Sequence, residues 1–344
     1  MSRPLRIGVI GAGGNTRAKH IPGFKAIPGV EVTVVCNRSK ESGEKVAREF
    51  GIKYVAAAWR DIIASPDIDA ICIGTWPNMH AKLVVAALRA GKHVLTEARM
   101  ARNLAEAEMM MEESRLHPEL VAQIVPAPMS LPFDATIIGL LQGGTLGGLR
   151  EVTLTCTNDG YADSSAPRSW RQDNAISGKN TLYLGIYYEM VLRWLGEGVT
   201  SLVADAAIFT KERKDEEGVP WPTTIPESVT VLGRFADGAR LMAHLSGVER
   251  SVPRNEIRLN CSMGGLRLDF TRNELWLNKP GVAEQLVEIA PEKRDAWRVE
   301  ADFIESIQKR KPVRLTDFST GVKYMQFTDA VWESWNNFGQ RVTL

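Results

Sequence analysis

The sequence predicts an α/β chain in two parts: a doubly wound parallel sheet over residues 1–126, then an α+β domain over 127–344 built on a mostly antiparallel sheet. Three observations predict it. From Leu5 to about Val125 short apolar runs alternate with helical patterns, the rhythm of a parallel sheet covered on both faces. After Pro126, Pro128 and Pro132 that rhythm gives way to strands joined by helix-free loops. A chain of 344 residues also exceeds the roughly 150 residues that one core usually serves.

Taken in order, the first-half strands are Leu5 to Ile10, Glu31 to Cys36, Ala70 to Gly74, His93 to Thr96 and Leu120 to Val125, each a run of β-branched or aliphatic residues. Helical periodicity between them predicts helices near Thr16 to Ala26, Ser39 to Phe50, Asn78 to Ala90 and Leu104 to Leu116. In the second half one helix ends near Leu141 and a GGTLGG turn follows. Strands are then expected at Leu149 to Thr157, Val199 to Thr210, Val229 to Phe235, Arg240 to Leu245, Ile257 to Ser262, Leu266 to Phe270 and Glu274 to Leu277, with glycine turns at Gly238 and Gly264-Gly265. A helix from Thr181 to Leu195 interrupts them, and helices near Asp295 to Lys309 and Asp317 to Asn336 close the chain.

Composition narrows the partners. Hydrophobic residues at 44% and charged residues at 24% belong to a soluble globular chain, and no apolar run approaches the roughly 18 residues a membrane span needs. A formal charge of +1 leaves no cationic surplus for a phosphate backbone, so small molecules rather than nucleic acid are the expected ligands. Cys36, Cys72, Cys156 and Cys261 are far apart in largely apolar stretches and read as buried thiols of a reducing compartment. The opening MSRPLRIGVIGAG enters a strand without a charged leader, and the cytoplasm is the expected location. His20, His80, His93, His117 and His244 show no ligand spacing, so no metal site is expected.

The chemistry starts at the first strand's exit. Gly11-Ala12-Gly13-Gly14-Asn15-Thr16 lies between strand and helix, where bare amides at a helix start suit a pyrophosphate. Thr16 takes the position where a small residue lets helix and strand approach, and its hydroxyl can also bond phosphate. The second strand ends in Asn37-Arg38-Ser39, where an NAD-selective site carries an acid. Arg38 can grip a 2′-phosphate, which favours NADP while leaving NAD open.

With this turn, GTWPNMH at 74–80, AGKHVLTEARMARNLAEAEMM at 90–110 and VWESWNNFG at 331–339, the chain resembles the Gfo/Idh/MocA oxidoreductase family over nearly its whole length. The resemblance implies a Rossmann domain holding NAD(P), a second domain with a large open sheet for substrate and oligomer contacts, and sugars, inositols or related polyols as substrates. It places Thr75, Trp76, Asn78 and His80 beside the dinucleotide, with Glu97 and Ala98 near the nicotinamide ribose. Two family motifs are altered here. Glu-Lys-Pro reads Glu97-Ala98-Arg99, without the substrate lysine, and Asp-x-Gly-x-His-x-x-Asp falls on residues 183–190, where Tyr183 and Tyr187 replace the first acid and the histidine.

Four residues apart, Tyr183 and Tyr187 share one helix face, and Tyr187 is the expected proton donor or acceptor. A phenol with pKa near ~10 donates readily but rarely ionises at neutral pH, so reduction suits it better than oxidation. Service as a base needs a cation, which Arg99 or Lys179 could supply. Trp170, Arg171, Lys179, Asn180 and Tyr188 are the expected substrate contacts, an aromatic face with donors for hydroxyls or a carboxylate. The expected activity is hydride transfer to or from a sugar, polyol or sugar-derived carbonyl by a dimer or tetramer. A redox-neutral enzyme recycling bound NAD and an inactive sensor are the rival readings.

Overall fold

The computed structural model describes residues 3–215 and 217–344. They form two compact units, Met1–Pro126 with Arg298–Val322, and Ala127–Trp297 with Lys323–Leu344. A division at Pro126 alone therefore misses a return of the chain. Contacts within the first unit explain the return: Gln123 Nε2 donates to Val299 O at 3.1 Å, Ile124 N donates to Thr316 O at 3.0 Å, and Phe303 packs edge-on against Phe24.

The first unit is a six-stranded parallel sheet in the order β3-β2-β1-β4-β5-β6. Its strands are β1 (Leu5–Ile10), β2 (Val30–Cys36), β3 (Tyr54–Val55), β4 (Ala70–Ile73), β5 (His93–Thr96) and β6 (Ala122–Ile124). Ile7, Val9, Ile71, Ile73 and Leu95 are wholly buried, as strands covered on both faces must be. The helices are α1 (Ile21–Lys25), α2 (Lys40–Phe50), α3 (Trp59–Ala64), α4 (Pro77–Arg89) and α5 (Leu104–Leu116). The strand order reverses between β1 and β4, and a doubly wound sheet binds ligands in the crevice beyond the carboxyl ends of its strands at such a point. The expected helix from Thr16 to Ala26 is split: a π-helical turn at Thr16–His20 precedes α1, where Pro22 has no amide to continue the ladder.

The second unit opens with α6 (Asp134–Gln142) and β7 (Leu149–Thr157); α7 (Asn174–Ser177) and α8 (Leu184–Leu195) follow. Next come β8 (Ser201–Ala207), a separate hairpin of β9 (Glu212–Lys214) and β10 (Pro220–Pro222), β11 (Ser228–Arg234), β12 (Arg240–Ser246), β13 (Arg254–Cys261), β14 (Gly265–Asp269), β15 (Glu274–Asn278) and β16 (Gln285–Leu286). The chain then returns to the first unit with α9 (Val299–Lys309), and α10 (Phe318–Asn336), which starts in the first unit and ends in the second, and β17 (Val342–Thr343) close it. Nine strands make one open sheet, β16-β15-β14-β13-β7-β12-β11-β8-β17, in which only β7 and β12 run parallel. Helix α8 begins three residues later than the sequence suggests, because Leu182 adopts a φ of +48°. Among the described residues no helix is long and apolar enough to cross a membrane.

A buried ion pair organises the loop that leads towards Trp170. Arg213 Nη2 meets Glu227 Oε1 at 2.9 Å with both side chains sealed from solvent, and the same guanidinium donates to the carbonyls of Tyr161, Asp163 and Ala166. Glu227→Ala strands that cation, so urea denaturation should show a loss of about 3–5 kcal/mol, whereas a surface pair such as Lys40 with Glu44 should contribute well under ~1 kcal/mol.

Candidate active site

Backbone geometry at the exit of β1 builds the first half-site. Gly11 has a φ of +84°, which glycine adopts without steric cost, and a Cβ there would stand 2.7 Å from Thr75 Cγ2. Gly74 is tighter still: its Cβ would lie 2.0 Å from Thr16 Oγ1 and 2.2 Å from Gly11 O. The two glycines let the turn lie flat against the end of β4. Thr16 completes the packing, buried with its hydroxyl donating to Gly11 O at 3.2 Å. That corrects its expected phosphate bond, since the hydroxyl is used inside the turn.

Gly13, Gly14 and Asn15 are exposed, and a Cβ on Gly14 would meet nothing within 4 Å. Arg17 N donates to Gly13 O at 3.0 Å, so the helix starts here and its first amides have no preceding carbonyl to bond. Beside them the Thr75 hydroxyl is buried without a hydrogen-bond partner among the described residues. Open space, unpaired amides and an orphaned hydroxyl together fit a diphosphate with its adjoining ribose.

The end of β2 divides its tasks. Asn37 Oδ1 accepts from Ala12 N at 2.7 Å while its Nδ2 donates to Ser42 Oγ at 2.8 Å, and Ser39 Oγ caps α2 by accepting from Ser42 N. Both side chains brace the scaffold. Arg38 is exposed, its guanidinium 5.8 Å from the ring centre of Trp76, itself 40% exposed at the start of α4. Asn78 is exposed in the first turn of α4.

His80 departs from expectation. It is wholly buried, with Nδ1 3.0 Å from Arg99 O and Nε2 3.0 Å from Thr75 O, so it ties the loops after β4 and β5 together and offers the dinucleotide nothing. Burial pushes its pKa down, opposed by those carbonyls. Arg99 is buried and Ala98 half-buried beside Glu97. Glu97 Oε1 accepts from Asn15 Nδ2 at 2.5 Å and lies 3.0 Å from His20 Nε2; His20 Nδ1 lies 2.5 Å from Glu300 Oε1. Sequence reasoning missed His20 and Glu300.

In the second unit α8 separates the two phenols. Tyr183 is the residue before the helix and 46% exposed, whereas Tyr187 is 2% exposed, donates to Asn255 Oδ1 and meets the Phe270 ring edge-on at 5.4 Å. Burial first, then the neighbouring Cys156, push the Tyr187 phenol far above its ordinary range, with Asn255 opposing. Burial thus holds Tyr187 in its protonated form, the form that donates to Asn255. Lys179 Nζ donates to Asp329 Oδ2 at 2.6 Å.

Two expected substrate contacts also turn inward. Tyr188 stacks on Phe327 at 3.7 Å and accepts from Val199 N at 2.8 Å, and Asn180 is buried, its Nδ2 donating to Ser177 O at 2.7 Å. Trp170 and Arg171 remain at the surface as a stacked pair, guanidinium 4.3 Å from the ring centre, on a short turn capped by Ser169. Among the described residues no cluster of three His, Cys, Asp or Glu side chains could hold a metal ion.

Two family models match the chain. Residues 5–123 match the Gfo/Idh/MocA oxidoreductase family's NAD-binding Rossmann fold, and residues 135–267 match its C-terminal domain. The chain belongs to the Gfo/Idh/MocA family. Within it, levoglucosan dehydrogenase of Pseudarthrobacter phenanthrenivorans is 26% identical over 257 residues, 68% of this chain and 65% of that protein. The alignment thus spans a little under two thirds of that relative. The dTDP-3,4-didehydro-2,6-dideoxy-alpha-D-glucose 3-reductase of Streptomyces antibioticus is 26% identical over 91% of each chain. A solved levoglucosan dehydrogenase in complex with NADH and levoglucosan superposes with a TM-score of 0.88 at 23% identity, covering 99% of both chains, which establishes the shared fold.

Gly14 offers a clean separation of fold from ligand. Because its Cβ position is open, Gly14→Val should leave the melting temperature within about 2 °C, yet fill the space before the amides and weaken NAD(P) binding at least ~100-fold by calorimetry.

Proposed function

We propose that this Gfo/Idh/MocA member is an NAD(P)-dependent enzyme moving a hydride to or from a sugar, a polyol or a sugar-derived carbonyl. The observation that carries the reading is the exposed turn Gly13 to Asn15, with open space at Gly14, at the reversal point of a parallel sheet. Relatives named as a levoglucosan dehydrogenase, a deoxysugar 3-reductase and a myo-inositol 2-dehydrogenase support the substrate class. Gly13, Gly14 and Asn15 would hold the diphosphate, Thr75 and Glu97 would meet ribose hydroxyls, and Arg38 with Trp76 would take the adenosine end. When bound, the coenzyme supplies a nicotinamide ring that accepts or donates the hydride. An exposed guanidinium at the end of β2, with no acid at 37–39, favours NADP over NAD.

The proton is the chain's own task. Tyr187 is sealed and bonded to Asn255, so Tyr183, the accessible phenol one turn earlier, is the better donor to a carbonyl being reduced. With no lysine at 98 and no histidine at 187 to take up a proton, reduction is the favoured direction. Trp170 and Arg171 give an aromatic face and a cation for a hydroxylated or acidic substrate. An inactive sensor is the second reading, favoured by the burial of Tyr187 and the pairing of Lys179 with Asp329. Four free cysteines fit the cytoplasm, and the alternating outer face of β11, which exposes Leu232, fits association into a dimer or tetramer.

A panel of ketoses, aldoses and inositols with NADPH or NADH, followed at 340 nm, tests the reading: coenzyme consumption equal to product formed supports it, and absence of product from every substrate favours the sensor. In the active pair Tyr183→Phe should lower kcat about 100-fold or more with coenzyme affinity unchanged. Tyr187→Phe should keep most of the turnover and instead lower stability by about 1–3 kcal/mol, because Asn255 loses its buried donor.

A further inference from the structure

Within the first unit, three distant segments converge on one imidazole. His20 is wholly buried; Glu300, from α9, faces its Nδ1 at 2.5 Å, and Glu97, after β5, faces its Nε2 at 3.0 Å. Carboxylates only accept, so both ring nitrogens carry hydrogen and the ring is an imidazolium. The neighbouring chain is cut to fit: a Cβ on Gly23 would come within 2.7 Å of Glu300 Oε2. Asn15, in the dinucleotide turn, donates to the same Glu97 oxygen that faces His20. The contacts of the Glu97 carboxylate with Asn15 and His20 thus both fall on Oε1, and Oε2 of this partly exposed carboxylate has no protein partner among the described residues.

We propose that His20 and Glu300 are positioning residues for the coenzyme: they clamp Glu97 with Oε1 held by the protein and Oε2 left to accept from the hydroxyls of the ribose that carries the nicotinamide. The inference rests on the coenzyme reading above. A carboxylate so held reaches its partner without first losing side-chain freedom, and charge-assisted bonds are stronger than neutral ones.

The clamp's charge state follows from its surroundings. Burial alone would lower His20, but the bonds to Glu300 and Glu97 raise it to about 9. Burial alone would raise Glu97, yet His20 and Asn15 hold it below the usual carboxylate range. Of the other groups nearby, burial keeps the Cys72 thiol protonated and pushes His80 down, and Arg17 on His20's own turn pairs with Glu49 at 2.6 Å. The folded pKa of His20 exceeds that of a free imidazole near ~6.5, so its stabilising contribution is complete below that pH and is lost as pH rises through about 9.

Calorimetric titration of ADP and of ADP-ribose into the whole chain, His20→Gln and Glu300→Gln tests the clamp, because only ADP-ribose carries the second ribose. At neutral pH each variant should bind ADP-ribose about tenfold more weakly while holding ADP within about twofold. In the unaltered chain ADP-ribose affinity should fall as pH rises past about 9, ADP affinity should stay level, and His20→Gln should remove that dependence. Equal weakening for both ligands, which a general distortion would cause, overturns the proposal, as does no weakening for either. Failure of the unaltered chain to bind ADP overturns the coenzyme reading itself.

Discussion

The site depends on the contact between the turn after β1 and the end of β4. Two glycines meet there with Thr16 between them, and neither has room for a methyl group: at Gly74 the nearest atom would stand 2.0 Å away. This approach leaves residues 13–15 exposed and places Thr75, whose hydroxyl has no partner among the described residues, beside the turn. Asn37 braces the turn through Ala12 N, and His80 ties the loops after β4 and β5. Several side chains near the dinucleotide motif are therefore scaffold, holding the few groups left free for a ligand.

Chain connectivity adds a second layer. The segment Arg298–Val322 rejoins the first unit after all but the last strand of the open sheet, and with it comes Glu300, which completes an acid-imidazolium-acid row running from the buried Glu300 to Glu97. An ion row of this kind stabilises little by itself, because desolvation offsets most of the attraction. Its product is orientation, which is what a carboxylate at the mouth of a binding crevice needs.

Much of this was legible in the sequence where the signal is local. Strands such as His93–Thr96 and Leu149–Thr157 and helix Leu104–Leu116 follow from apolar period and capping, and the glycine turn is readable because its spacing sits between a strand and a helix. Strand β3, two residues long, and α3, six residues long, are too short to show a period. Side-chain fate was not legible. Tyr183 and Tyr187 look alike by spacing, yet one is exposed and the other sealed behind Phe270 and Asn255, and His20 and Glu300 are 280 positions apart in the chain. Convergence of that range leaves no local trace; the one hint is Gly23, whose bare Cα makes room for the acid.

The most direct check of the central claim is an amide chemical-shift map of the isotope-labelled chain during titration with NADPH. The account predicts that the largest shifts fall on Gly13, Gly14 and Asn15, with Thr75 and Glu97 following. Shifts confined to the open groove of about 540 Å³ lined by Arg6, Lys53, Tyr54 and Asp67, where the strands of the same sheet begin, would contradict it.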